Sequence, residues 1–246
     1  MTQVINFYGL SSHAARIVSP KAVALKDIEG TRITCRTSSR RFPVNYNGLQ
    51  VYTSYPCVCG NSKLGANIAI FDLLAIHTCG NCRDCAKSCY AMKAQRQYKN
   101  TFNKRAINTY LAANDTDYLA EMLLNQLSRS NVPYVRIHSS GDFFNNRYVE
   151  MWEFVARTCA EKKFYFYTKM DGILDMENLI NLPNVNRVKS ILPDGSINFG
   201  SMEYILEKSR KFGIKICPYG ISDKPIKCGT DCTVCMEEEY CLFLEH

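Results

Sequence analysis

The sequence has no apolar run long enough to cross a bilayer. Its longest runs, such as NIAIFDLLAI, reach about half of the roughly 20 residues that a membrane-spanning helix needs. No charged-then-apolar leader opens the chain. Internal repeats, low-complexity tracts and an obvious interdomain linker are missing as well. These absences argue against membrane, secreted and repeat architectures and make the cytoplasm the expected compartment. Disulfides are rare there, yet the chain holds 13 cysteines among 246 residues. An odd count also leaves one thiol over in any disulfide scheme. Metal ligation is the better expectation.

A hydrophobic content of 46% with 22% charged residues is ordinary for a soluble globular chain, and 246 residues suffice for a sizeable core. The net charge of +7 is unevenly spread. Residues 1–60 carry seven Lys/Arg against two acids, and residues 83–105 carry seven against one. Such concentration suits nucleic acid or a phosphorylated small molecule. It equally suits a solvated basic face, or cations that balance an anionic metal–thiolate cluster.

Residues 1–60 read as a basic N-terminal extension of short strands and loops, and residues 61–246 as the core domain. ANIAIFDLLAI reads as a buried element that leads into a cysteine loop. Apolar residues three and four apart between 91 and 130 predict helices, with Asp115 as an N-cap. The chain then alternates. PYVRIHSS, KFYFYTK, VNRVKSI and IKICPY read as strands; NNRYVEMWEFVARTCAEK, MENLINL and SMEYILEKSRKFG read as helices. This order predicts an α/β fold, a partial (β/α) barrel-like parallel sheet with helices, with cysteine-rich metal-binding loops at both ends of the core region. Ligands of such sheets sit beyond the C-terminal strand ends.

In HTCGNCRDCAKSCYA, Cys79, Cys82, Cys85 and Cys89 have the spacing C-x2-C-x2-C-x3-C that suits a cubane iron–sulfur cluster. Tetrahedral zinc is the competitor. Near the C-terminus, Cys228, Cys232 and Cys235 have C-x3-C-x2-C spacing, with Cys217 as fourth ligand. The expected cofactors are therefore one or two 4Fe-4S clusters, with zinc as the alternative metal. Cys159 and Trp152 read as core residues. His77 and His246 are possible extra ligands, although isolated histidines are more often structural.

RIHSSGD is the most informative stretch without cysteine. On a strand, Arg136 and His138 share a face, and the loop Ser139, Ser140, Gly141 and Asp142 follows at its C-terminal end. Gly141 permits a tight turn. Asp142 suits an amine or hydroxyl ligand, and His138 suits proton transfer near neutral pH. The structural alternative is that Asp142 caps the helix beginning near Asn145. Tyr167 and Lys169 end the next strand and face the same opening. His138, Asp142 and Lys169 are thus the catalytic candidates; Arg136, Ser139, Ser140, Gly141 and Tyr167 are the substrate- or cofactor-binding candidates.

In order and spacing, GNSKLG, HTC, CYA, VRIHSSGDFF, FYFYTKM, LPNVNRVKS and ICPYG…KCGTDCTVC…LEH resemble the phage gene product 88 family over roughly residues 60–246. That resemblance implies a phage- or mobile-element origin and action in the cytoplasm of the host bacterium. More distantly, CYA at 89–91, SSGD at 139–142 and FYFYTK are similar to the layout of radical S-adenosylmethionine enzymes, which implies S-adenosylmethionine as a cofactor. The three-cysteine order typical of those enzymes stands here at Cys228, Cys232 and Cys235 instead of at 79–89. The leading expectation is an iron–sulfur, radical-SAM-like enzyme acting on a nucleotide, modified base or nucleic acid. The alternative is a non-catalytic iron–sulfur or zinc nucleic-acid-binding protein. A pure electron carrier needs fewer residues.

Overall fold

The computed structural model describes residues 42–46, 49–53, 55–61, 63–80, 89–219, 221–224 and 226–244. An antiparallel hairpin comes first, β1 (Phe42–Tyr46) with β2 (Leu49–Thr53). The main sheet has five strands in chain order: β3 (Cys57–Cys59), β4 (Ile68–Phe71), β5 (Tyr134–Ile137), β6 (Lys163–Thr168) and β7 (Val185–Lys189). β3 is antiparallel to β4, and the other pairs are parallel. Because β3 belongs to this sheet, the α/β unit begins upstream of the boundary expected at residue 61.

Helices fill the crossovers: α1 (Tyr90–Gln97), α2 (Lys99–Asn114) and α3 (Thr116–Ser128) before β5, α4 (Asn146–Thr158) before β6, and α5 (Glu177–Ile180) before β7. Their boundaries are locally encoded. The Asp115 carboxylate accepts from the Tyr118 N–H at 3.1 Å and starts α3. The Asn145 side chain accepts from the Tyr148 N–H at 2.8 Å and starts α4. Leu119, Leu123 and Leu127 of α3 then point one way, as do Tyr148, Trp152 and Val155 of α4. These side chains pack on Phe71, Val135, Ile137, Phe164 and Phe166 of the sheet. Strand alternation sends Ile68, Ile70 and Tyr165 to the opposite face, where Leu64, Cys228 and Met236 cover them. Helices thus lie on one face and the C-terminal cysteine segment on the other. The architecture is mixed α/β with a largely parallel sheet, and among the described residues no barrel closes.

Beyond β7 the chain forms β8 (Phe199–Gly200), α6 (Met202–Phe212), α7 (Val234–Glu237) and β9 (Phe243–Leu244). Ser201 caps α6, and Gly213 ends it at φ +68°. The strand expected at IKICPY does not join β7. The stretch 239–242 takes that place: the Lys189 N–H donates to the Glu239 carbonyl, and the Cys217 N–H donates to that of Leu242. IKICPY contributes only a single bridge, Ile216 to Leu242, before Pro218, which has no N–H, interrupts it. Among the described residues no helix is long and apolar enough to cross a membrane.

The helix-covered face is where truncation should cost most. Leu123→Ala should lower stability by about 2–5 kcal/mol through the cavity it leaves, whereas Phe154→Ser, 55% exposed on the outer side of α4, should change it by less than about 0.5 kcal/mol. Urea unfolding midpoints of both variants check the assignment of faces.

Candidate functional site

A cavity of about 1000 Å³ opens at the C-terminal ends of the parallel strands and continues over the sheet face that the helices leave free. Asp72 after β4, Ser139 after β5, Lys169 after β6 and Ser190 after β7 line its rim. Arg136, Tyr165 and Tyr167 form its floor because alternation places them opposite the helix-packed residues. Its lining includes Cys79 from the first cysteine group and Cys217, Cys228, Cys232 and Cys235 from the second. Cys89 caps the start of α1, while Cys82, Cys85 and His246 lie outside the described residues.

Two carboxylates hold the rim together. Asp72 accepts from the Ser139 N–H at 2.8 Å and its hydroxyl at 2.7 Å, and from the Arg105 guanidinium at 3.1 Å. Asp142 accepts from the Phe143 N–H at 2.8 Å, the Thr168 hydroxyl at 2.7 Å and the Lys169 N–H at 3.0 Å. The Ser140 hydroxyl donates to the Leu73 carbonyl at 2.8 Å. Gly141 has φ +83°, and a Cβ there would stand 2.5 Å from the Thr78 hydroxyl oxygen and 2.7 Å from the Leu73 side chain. SSGD therefore ties β5 to both neighbouring strand ends. Asp142 does not cap α4, a role that Asn145 fills. Burial raises the Asp142 carboxyl to about 6 against the pull of its hydrogen bonds.

His138 lines the cavity together with Arg136, and its φ of +64° departs from strand geometry at the end of β5. Its ring packs at 4.8 Å from Phe143 and 5.7 Å from Tyr148, with Nε2 2.8 Å from the Tyr148 hydroxyl. Burial, reinforced by the nearby Arg136 charge, lowers its pKa to about 3.

The thiols of the second group pack together. Cys241, fully buried, lies against Cys217 and Cys235 and donates to the Leu242 carbonyl at 3.9 Å; the neighbouring thiols pull the pKa values of Cys217 and Cys235 down and push that of Cys241 up. Arg136 also favours both thiolates, and Lys63 favours that of Cys217. Cys228 and Cys232 lie close enough to feel the same charges, although burial raises both. Among the described residues no group of three or more His, Cys, Asp or Glu side chains stands ready-made to hold a metal ion. Every described cysteine is free of a disulfide.

Residues 44–208 match the family of gene product 88. The chain belongs to the gene product 88 family. No curated protein and no solved structure matches it. The family match starts upstream of residue 60, where the resemblance was expected to begin, and stops before Cys217. The gene product 88 segment thus supplies the rim and floor of the cavity, and the later residues supply the second thiol group. Sequence reasoning missed Asp72, Tyr90 and Lys63, and it assigned no site role to Arg105 of the basic run or to Cys241, which follows the second cysteine group. Of the first three, Asp72 alone had a signal, an acid directly after a buried strand.

The raised Asp142 carboxyl predicts a pH dependence of definite sign. The folded chain keeps it neutral where the unfolded chain has ionised it, so its contribution to stability should fall between pH 3.8 and about 6. Asp142→Asn should abolish that decline when urea midpoints are compared from pH 4 to 7. An equal decline in both proteins would refute the assignment.

Proposed function

We propose that this protein is a metal–thiolate enzyme, an iron–sulfur protein in its leading form, that acts on an anionic, nucleotide-class substrate in the cavity above its parallel sheet. The observation carrying this reading is that Cys79, Cys217, Cys228, Cys232 and Cys235 line one cavity together with Arg136. The donor set fits. All donors are sulfur, which favours iron–sulfur clusters or zinc over oxygen-seeking ions. Cys217, Cys235 and Cys241 pack against one another, so a cation bound there would take the place of their thiol protons. Cys217, Cys235 and Cys241 would hold the metal, with Cys228 or Cys232 completing the set.

An iron–sulfur cluster held there supplies electrons singly, the chemistry that radical-SAM-like catalysis requires. The chain's own residues bind and orient. Arg136 offers a fixed positive charge, since a guanidinium stays protonated throughout the physiological range. Tyr167 supplies an aromatic wall, and Lys169 adds positive charge beside the Asp142 carboxyl. The family and the open (β/α) sheet agree with a phage-borne protein working in the host cytoplasm. A second reading, a zinc-stapled nucleic-acid binder without turnover, draws on Lys104 and Arg105, which continue the basic segment into the cavity wall.

Protein prepared without oxygen should be brown and contain iron and acid-labile sulfide. Cys235→Ser and Cys241→Ser should each lower metal content and the melting temperature, while Cys159→Ser, whose thiol lies in the helix-packed core, should keep the metal. Colourless protein with stoichiometric zinc would decide for the second reading. Metal-free protein that folds normally would end both.

A further inference from the structure

Arg136, half-buried on the cavity floor, faces tyrosine rings, and among the described residues no carboxylate pairs with it in an ion pair. Its Nε is buried without a hydrogen bond, and its guanidinium carbon lies 5.2 Å from the centre of the Tyr167 ring. The cavity acids are already engaged: Asp72 by Arg105 and Ser139, Asp142 by Phe143, Thr168 and Lys169. Tyr167 in turn meets Phe243 at 5.6 Å in a tilted edge contact, and the Lys63 ammonium stands 5.6 Å from the Phe243 ring and 4.6 Å from that of Tyr219. The result is a continuous row of cation, ring, ring and cation, all four side chains lining the cavity. A half-buried guanidinium is stabilised by an anion that offers two oxygens to its N–H fork, as a phosphate does. Ring faces beside it suit a flat heterocycle. The cavity of about 1000 Å³ far exceeds a lone inorganic ion and matches a small organic ligand.

From this row we infer a phosphorylated-nucleoside subsite: Arg136 takes the phosphate, Tyr167 and Phe243 take the base, and Lys63 raises the attraction for the anion. This deepens the reading of the cavity given above, but its ligand contacts do not depend on which metal the thiols hold. A competing role for Arg136, as countercharge to the thiols alone, predicts no such ligand.

Calorimetric titration of the full chain with the four nucleoside diphosphates, their nucleosides, inorganic phosphate and a 12-nucleotide single strand tests the subsite, with metal content measured on every preparation. At least one diphosphate should bind, and its nucleoside and free phosphate should each bind at least tenfold more weakly. Arg136→Gln should weaken that diphosphate at least tenfold at unchanged metal content, and Lys63→Gln, which alters a partly exposed side chain, should weaken it several-fold. Binding by none of the diphosphates would overturn the subsite, as would equal binding of nucleoside and diphosphate. Loss of metal together with binding in Arg136→Gln, with Lys63→Gln binding normally, would return the guanidinium to the thiols. A single strand that binds tenfold more tightly than any diphosphate would overturn the small-ligand assignment for a nucleic-acid one. Wild type that binds a diphosphate yet contains no metal would refute the thiolate reading and leave the subsite standing.

Discussion

Parallel strands end with backbone N–H groups pointing into the space where a ligand must sit, and here Asp72 and Asp142 occupy those groups. Asp72 takes the amide that follows β5, and Asp142 takes the amide that follows β6. Each carboxylate therefore bridges two neighbouring strand ends and fixes their relative height. The glycine at 141 exists for the same reason, because any side chain would push the two ends apart. The cavity floor depends on that register. Arg136, Tyr165 and Tyr167 lie side by side only while β5 and β6 keep their pairing of Arg136 with Tyr165.

What the sequence revealed, and what it hid, follows the range of the forces involved. The caps at Asp115 and Asn145 and the apolar spacing of α3 and α4 depend on residues a few positions apart, so they were legible. The alternation of strands and helices from residue 134 onward was legible for the same reason. IKICPY has strand composition, but its partner is chosen by residues 239–242, which outcompete it for the edge of β7. No local pattern announces that contest. The backbone turn at His138 was hidden, since a positive φ in a non-glycine residue leaves no compositional mark. Cys241 follows the second cysteine group but was given no ligand role, because a single cysteine outside a spaced motif carries no metal signature, whereas folding packs it against Cys217 and Cys235.

The cavity also separates two kinds of electrostatics. At the rim, negative charge is consumed by hydrogen bonds, and one carboxyl is raised towards neutrality. Over the floor, positive charge faces rings and sulfur. The gene product 88 segment builds the first environment and contributes Arg136, Tyr165 and Tyr167 to the second, while the residues after 208 bring the thiols and Phe243 to meet them. Neither part makes the cavity alone.

The bridge between Leu64 and Cys228 joins segments far apart along the chain, with the Gly65 N–H donating to the Cys228 carbonyl and the Cys228 N–H to that of Lys63. The strands of the sheet, by contrast, pair with their successors in chain order. Contacts of such different separation form at different rates, since a long loop must lose its entropy before its ends are rewarded. The thiol-bearing wall thus hangs on a long loop closure, and whatever loosens the Leu64–Cys228 bridge lays the sulfur open to oxidants before it disturbs the helix-covered layer.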